Sequence, residues 1–120
     1  IEETFYTYEA AAAHTSGLIE RGVTAIITGS DLQALGAIHT ITSMGLSVPA
    51  DVSVIGFDDS FLMSHLSPGL TTVHQPVPAI VTAAVRNLFE ALATPNSTPT
   101  HEDYVFSPDL VVRGTTAHAR

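Results

Sequence analysis

Residues 48–76, VPADVSVIGFDDSFLMSHLSPGLTTVHQP, set two apolar runs one after the other and close each of them on polar groups. The first run, residues 52–57, has no alternation of polar and apolar positions apart from Ser53, the pattern of a strand buried on both faces, and it stops at Asp58-Asp59. The second, residues 70–74, stops at Gln75-Pro76. Ligands of open parallel sheets bind just beyond the carboxyl ends of the strands, so the two runs predict Asp58 and Gln75 where a polar small molecule would be read. Such a rim suits recognition before catalysis.

Upstream of this stretch, Ala11, Ala12, Thr15, Leu18 and Ile19 follow a helical spacing that ends at Arg21-Gly22. That spacing predicts a helix over residues 7–21 with Gly22 in the left-handed cap. Residues 24–28, TAIIT, read as a short buried strand, and Gly29 as the turn after it. Ser30 and Gln33 form an S-x-x-Q capping box that opens a second helix over residues 31–44, with Leu35, Ile38 and Ile41 as its core stripe. A short helical or irregular piece over residues 60–65 is ended by Ser67-Pro68-Gly69.

Downstream, Val77, Ile80, Val81, Ala84, Val85, Leu88 and Leu92 trace one face of a long helix, and Pro78 is tolerated in its first turn because that N–H has no helical partner. Residues 94–99, TPNSTP, read as a linker. Residues 103–106 and 110–113 read as strands separated by Ser107-Pro108, and residues 117–120 as a frayed tail. Strands alternating with helices, over connections long enough for crossovers, predict an α/β fold with a mainly parallel sheet flanked by helices.

A length of 120 residues suits one domain, and 45% apolar content is enough for a core. The charge is lopsided: no lysine, four arginines and twelve acids, for a net charge of −8. Such a surface repels phosphate backbones, so this segment is not expected to touch DNA itself. No cysteine is present, which excludes disulfides and thiolate chemistry. No apolar run approaches the ~20 residues that span a bilayer, and residues 1–10 lack the basic and apolar regions of a signal peptide, so a soluble, cytoplasmic chain without a membrane partner is expected.

The six histidines form neither an i, i+4 pair nor a Cys/His cluster, so no metal site is expected. Nucleophile elbow, P-loop and G-x-G-x-x-G are all missing, so no cofactor and no enzymatic activity are expected. The Asp58-Asp59 pair could serve a phosphoacceptor or a metal-dependent hydrolase. That chemistry needs a lysine, which the chain lacks, or a further carboxylate at another strand end.

Three blocks, GLSVPADVSVIGFDD at residues 45–59, PGLTTVHQP at 68–76 and LVVRGTT at 110–116, stand in the order found in the lac and gal repressor family. Over roughly residues 5–116 the chain resembles the C-terminal part of that family's effector-binding region, a partial lobe of the type I periplasmic-binding-protein-like kind. The resemblance implies that residues 1–75 and about 101–116 belong to a C-terminal lobe. Residues 76–100 would be a crossover helix and linker, the helix packing on the other lobe. DNA would be bound only through an N-terminal helix-turn-helix domain absent from this chain.

The function implied is the sensing of an effector, a sugar or related small polar molecule, within a homodimeric, sequence-specific DNA-binding regulator. A periplasmic sugar receptor for a transporter is the alternative, since it shares the lobe architecture, but the three blocks are more typical of the repressors. On the family's pattern Asp58 hydrogen-bonds the effector, and Gln75 reaches the cleft from the lobe crossover. Ser30 stands where the family commonly has an effector-contacting Asn, and Phe57 or Phe61 could stack on a ring. Each has a plainer role available: a cap for Asp58 and Ser30, a hinge for Gln75, core for the phenylalanines. Asp59 is expected to cap the segment after it, and Arg113 to pair with an acid or cover the sheet end. The apolar stripe of the long helix and an open sheet edge predict self-association, and the resemblance, in which the C-terminal lobe contributes to the dimer interface, implies a two-fold homodimer.

Overall fold

Thr7 opens the first helix: its hydroxyl accepts the Ala10 amide at 3.2 Å, and the helix, α1 (Tyr8–Glu20), ends where Gly22 takes φ +80°. The computed structural model describes residues 1–93 and 103–118. After α1 come β1 (Ala25–Ile27), α2 (Asp31–Ser43), β2 (Ser53–Asp58), a 3-10 turn (Phe61–His65), β3 (Thr71–His74), α3 (Val77–Ala93) and β4 (Asp109–Val111). The strands form one sheet in the order β1-β2-β3-β4, with β1, β2 and β3 parallel and β4 antiparallel to β3. It is the mainly parallel α/β sheet that the alternation of elements predicts.

The capping box forms with its return arm displaced. Ser30 Oγ accepts the Gln33 amide at 3.2 Å, but Gln33 Oε1 accepts from the Gly29 N–H at 3.0 Å instead of from Ser30. Gln33 Nε2 donates to the Phe5 carbonyl at 3.0 Å, which ties the segment before α1 to the start of α2. The two helices meet closely at Gly36, where a Cβ would fall on the Tyr8 carbonyl, and Thr40 Oγ1 donates to the Ala12 carbonyl at 3.1 Å. Ile41, Val54 and Leu70, fully buried, bring α2, β2 and the residue before β3 into one apolar core with Ile26, Ala34 and Met63. Each large aliphatic so placed contributes about 1.5–3 kcal/mol.

Burial departs from the sequence reading in two strands. Residues 24–28 were expected to be buried, yet β1 lies at the sheet edge and only Ile26 is covered; Ile27 is 75% exposed. In β2, expected to be buried on both faces, Val54 and Gly56 are buried while Ser53, Ile55 and Phe57 between them are half-buried. Residues 103–106 form no strand, and β4 is the one strand formed from the two expected there. The expected linker at residues 94–99 lies outside the described residues.

The segment after β4 is stitched back onto the sheet, and it includes Ala117, the first residue of the expected frayed tail. Val54 N–H donates to the Thr115 carbonyl at 2.8 Å, and the buried Thr115 hydroxyl donates to the Val54 carbonyl and accepts the Thr71 amide, both at 2.8 Å. Ala117 N–H donates to Ser53 Oγ at 3.1 Å. These bonds give backbone groups at the starts of β2 and β3 the partners that burial requires.

The contacts divide the chain into two units, Ile1–His74 with Asp109–Arg120, and Gln75–Pro108. In the second, Tyr104 and Phe106 line a groove of about 430 Å3 with Pro78, Thr82 and Arg86 of α3. None of the α3 side chains is buried, and Leu88 and Leu92 stand 58% and 66% exposed.

Candidate functional site

Parallel pairing puts the ends of β1 and β2 at one rim of the first unit. Thr28 extends the β1–β2 pairing by donating its N–H to the Ile55 carbonyl at 2.9 Å, and Ser30 follows at the mouth of α2. β2 runs to Asp58, whose register partner on β3 is His74. Gln75 comes directly after β3 as the first residue of the second unit. The structure thus brings Ser30 and Asp58 to one rim, and it leaves Phe57 half-buried within β2 opposite Val73. Phe61 is exposed on the 3-10 turn with its ring 4.8 Å from that of His65.

The carboxylates at this rim have different duties. Asp58 is exposed, and its backbone takes φ +113°, a region that residues with a Cβ adopt at a cost of about 1–3 kcal/mol. Asp59 follows at φ +55°. It does not cap the 3-10 turn as expected, because Ser60 occupies that position. Asp59 instead accepts from Arg113 Nη2 at 2.6 Å through one oxygen and lies 3.1 Å from His74 Nδ1 through the other. Arg113 Nη1 also donates to the Leu70 carbonyl at 2.9 Å, so the expected structural pairing of Arg113 with an acid is found, with Asp59 as the acid.

Asp31 holds the other side of the turn, which the sequence reading missed. It is 3% exposed, and its two oxygens accept from Thr72 Oγ1 at 2.5 Å, from Ser60 N at 2.7 Å and from Ser60 Oγ at 3.0 Å. These bonds tie the start of α2 to β3 and to the residue after Asp59. A carboxylate so deep is tolerable because donors fill it. The signal available in the sequence was Gly56: an isolated glycine inside a strand marks a close approach, and here a Cβ would run into Asp31 Oδ1 and stand 2.8 Å from Leu70 Cδ2.

A groove of about 640 Å3 lies elsewhere, along the uncovered edge of β1, lined by Ile26, Ile27, Ala11, Leu18 and the first residues of the chain. It follows from the open edge and holds none of the predicted contacts except through Gly29 and Gln33 beside Ser30. Among the described residues no group of three or more His, Cys, Asp or Glu could hold a metal ion, and no helix is long and apolar enough to cross a membrane. His101 lies outside the described residues.

Comparison with known proteins places the chain in a family. The profile of the periplasmic binding protein-like domain matches residues 2–116. The HTH-type transcriptional regulator MalR of Streptomyces coelicolor is 50% identical over 120 residues, 99% of this chain and 34% of the regulator. The chain belongs to the lac repressor family. A LacI-family regulator of Arthrobacter sp. FB24 in complex with lactose superposes with a TM-score of 0.80 at 31% identity, covering 95% of this chain and 44% of that one. The lac repressor dimer bound to operator and the anti-inducer ONPF gives a TM-score of 0.80 at 31% identity, over 95% of this chain and 40% of that one. The LacI-family chain described here spans about a third of the length of MalR. These relatives are transcriptional regulators.

Proposed function

We propose that the chain is the effector-sensing part of a sequence-specific DNA-binding transcriptional regulator, a binding module and not an enzyme, working as a homodimer in the cytoplasm. Residues 1–75 and about 101–116 serve as the C-terminal lobe, and residues 76–100 as the crossover to a second lobe. The effector is a sugar or a related small polar molecule, read at the strand ends by Asp58, with Gln75, Ser30 and Phe57 as the further contacts. It acts by differential affinity for two lobe arrangements, which alters how the dimer presents its DNA-binding heads.

The observation that carries this reading is the place of Asp58 at the carboxyl end of β2, on the rim where Ser30 opens α2. Asp58 is exposed there on a left-handed backbone, and Asp59 and Ser60 after it are held by Arg113, His74 and Asp31. A carboxylate can accept from two sugar hydroxyls at once. Ser30 contributes from a hydroxyl that also caps α2, so its reach is shared with the Gln33 amide.

The test is made on the full-length regulator with a panel of sugars and an operator-binding assay. Asp58→Ala is expected to weaken the effector response by about 1.5–3 kcal/mol, the scale of a charge-assisted hydrogen bond, while operator binding without effector is kept. Equal loss of both activities would assign Asp58 to folding instead.

A further inference from the structure

Arg113, two residues past β4, is seated against the start of β3. Its N–H donates to Thr71 Oγ1 at 2.9 Å and its Nη1 to the Leu70 carbonyl at 2.9 Å. Glycines shape the seat: a Cβ on Gly69 would lie 3.2 Å from Arg113 Cδ, and a Cβ on Gly114 would lie 2.7 Å from Pro68 Cβ. The guanidinium so fixed presents Nη2 to Asp59 Oδ1 at 2.6 Å, and the two side chains are only 20% and 16% exposed. An arginine whose fork is engaged at both tips is directional in a way that a solvated surface pair is not. Asp58 and Asp59 are the only non-glycine residues with positive φ among the described residues, at +113° and +55°. Such a backbone persists only where its surroundings over-determine it.

We propose that Arg113 is a positioning residue for the effector site: by holding the Asp59 carboxylate it fixes the left-handed turn that sets the direction of Asp58. The proposal rests on the reading of Asp58 as an effector contact. Ser60 donates its N–H and its hydroxyl to Asp31 Oδ2 at 2.7 Å and 3.0 Å, which fixes the residue after the turn. Within the turn the Asp59 N–H meets Thr72 Oγ1 only at a long 3.4 Å, so the Asp59 side chain carries the hold. His74 Nδ1 meets one Asp59 oxygen at 3.1 Å from a side chain that is 45% exposed, and Arg113 supplies the sheltered contact to the other. Returning Asp59 to an ordinary negative φ would carry its Cβ, and the carboxylate with it, away from Nη2. The ion pair therefore selects the left-handed turn over the conformations that residues with a Cβ prefer. Asp58 and Asp59 share a planar peptide, so the direction of the first follows that of the second.

The test is a double-mutant cycle on the full-length regulator, with lactose, ribose and cellobiose titrated calorimetrically. For the sugar that binds, Arg113→Met and Asp59→Asn are each expected to lower affinity about tenfold. Once Asp58 is already alanine, Arg113→Met is expected to cost less than about twofold, because its effect runs through the missing side chain. A merely structural arginine would add its full loss to that of Asp58→Ala, and such additivity would overturn the proposal. So would an Arg113→Met protein that binds as tightly as the wild type. Asp59→Asn carries the same cycle if the lost Leu70 contact unfolds Arg113→Met. The second measurement is hydrogen exchange of the sugar-free protein, read by mass spectrometry. In both variants exchange is expected to rise over residues 58–62 and to match the wild type over β2 and β3. Unchanged exchange at the turn would overturn the positioning role, and exchange raised through the whole sheet would replace it with a role in holding the fold. Binding untouched by Asp58→Ala, or no binding of any of the three sugars, would sink the effector reading of Asp58 instead, and hydrogen exchange would still decide whether Arg113 sets the turn.

Discussion

Gly56 decides how close a buried carboxylate can come to the sheet. Without a side chain there, Asp31 lies against β2 and collects Thr72 and Ser60; with one, the Cβ would meet the carboxylate and Leu70 together. Gly56→Ala is therefore expected to destabilise the protein by about 1–3 kcal/mol, the usual cost of overpacking, measured by chemical denaturation of the full-length protein. An unchanged midpoint would show that Asp31 can retreat without loss. The position of Asp58 was legible because an apolar run ends on it, and strand ends are what the sequence pattern marks best. The partners of Asp59 were not legible. His74 lies 15 residues away and Arg113 lies 54 away, and nothing local distinguishes an acid that caps from an acid that reaches across a fold.

Helix α2 carries the same lesson at the next scale. Its start, its end and its apolar stripe follow from a capping box, Gly45 and 3.6-residue spacing, all local signals. Its closest neighbour does not, because α1 approaches at Gly36, where only hydrogen fits beneath the Tyr8 carbonyl. Alanine is the better helix former by about 1 kcal/mol, but the clash falls on backbone, which cannot rotate out of the way. Overpacking at such a site costs about 1–3 kcal/mol, so Gly36→Ala is expected to lower the thermal midpoint on balance. A raised midpoint would mean that α1 slides freely on α2. For the strands, composition told which residues extend but not how many neighbours each strand has. β1 has the apolar run of an interior strand and stands at the edge, where Ile27 faces solvent.

In the whole molecule, the apolar side chains left uncovered point to association. Val81, Val85, Leu88, Phe89 and Leu92 of α3 are all exposed, and the edge of β1 carries unpaired backbone groups. The 120-residue chain on its own is expected to scatter light as a dimer or larger species at micromolar concentration; a monodisperse monomer would show that α3 finds cover within its own chain. The first unit is also assembled out of order. Val54, Thr71 and Leu70 wait for Thr115, Arg113 and Gly69's partner Gly114, which are made some forty to sixty residues later. During synthesis at the ribosome the three parallel strands therefore emerge before the segment that saturates their starting ends, and the sheet stays open for the whole passage of α3 through the exit tunnel. A polypeptide ending after α3 would present an apolar helix face and a sheet whose starting ends are still unsealed.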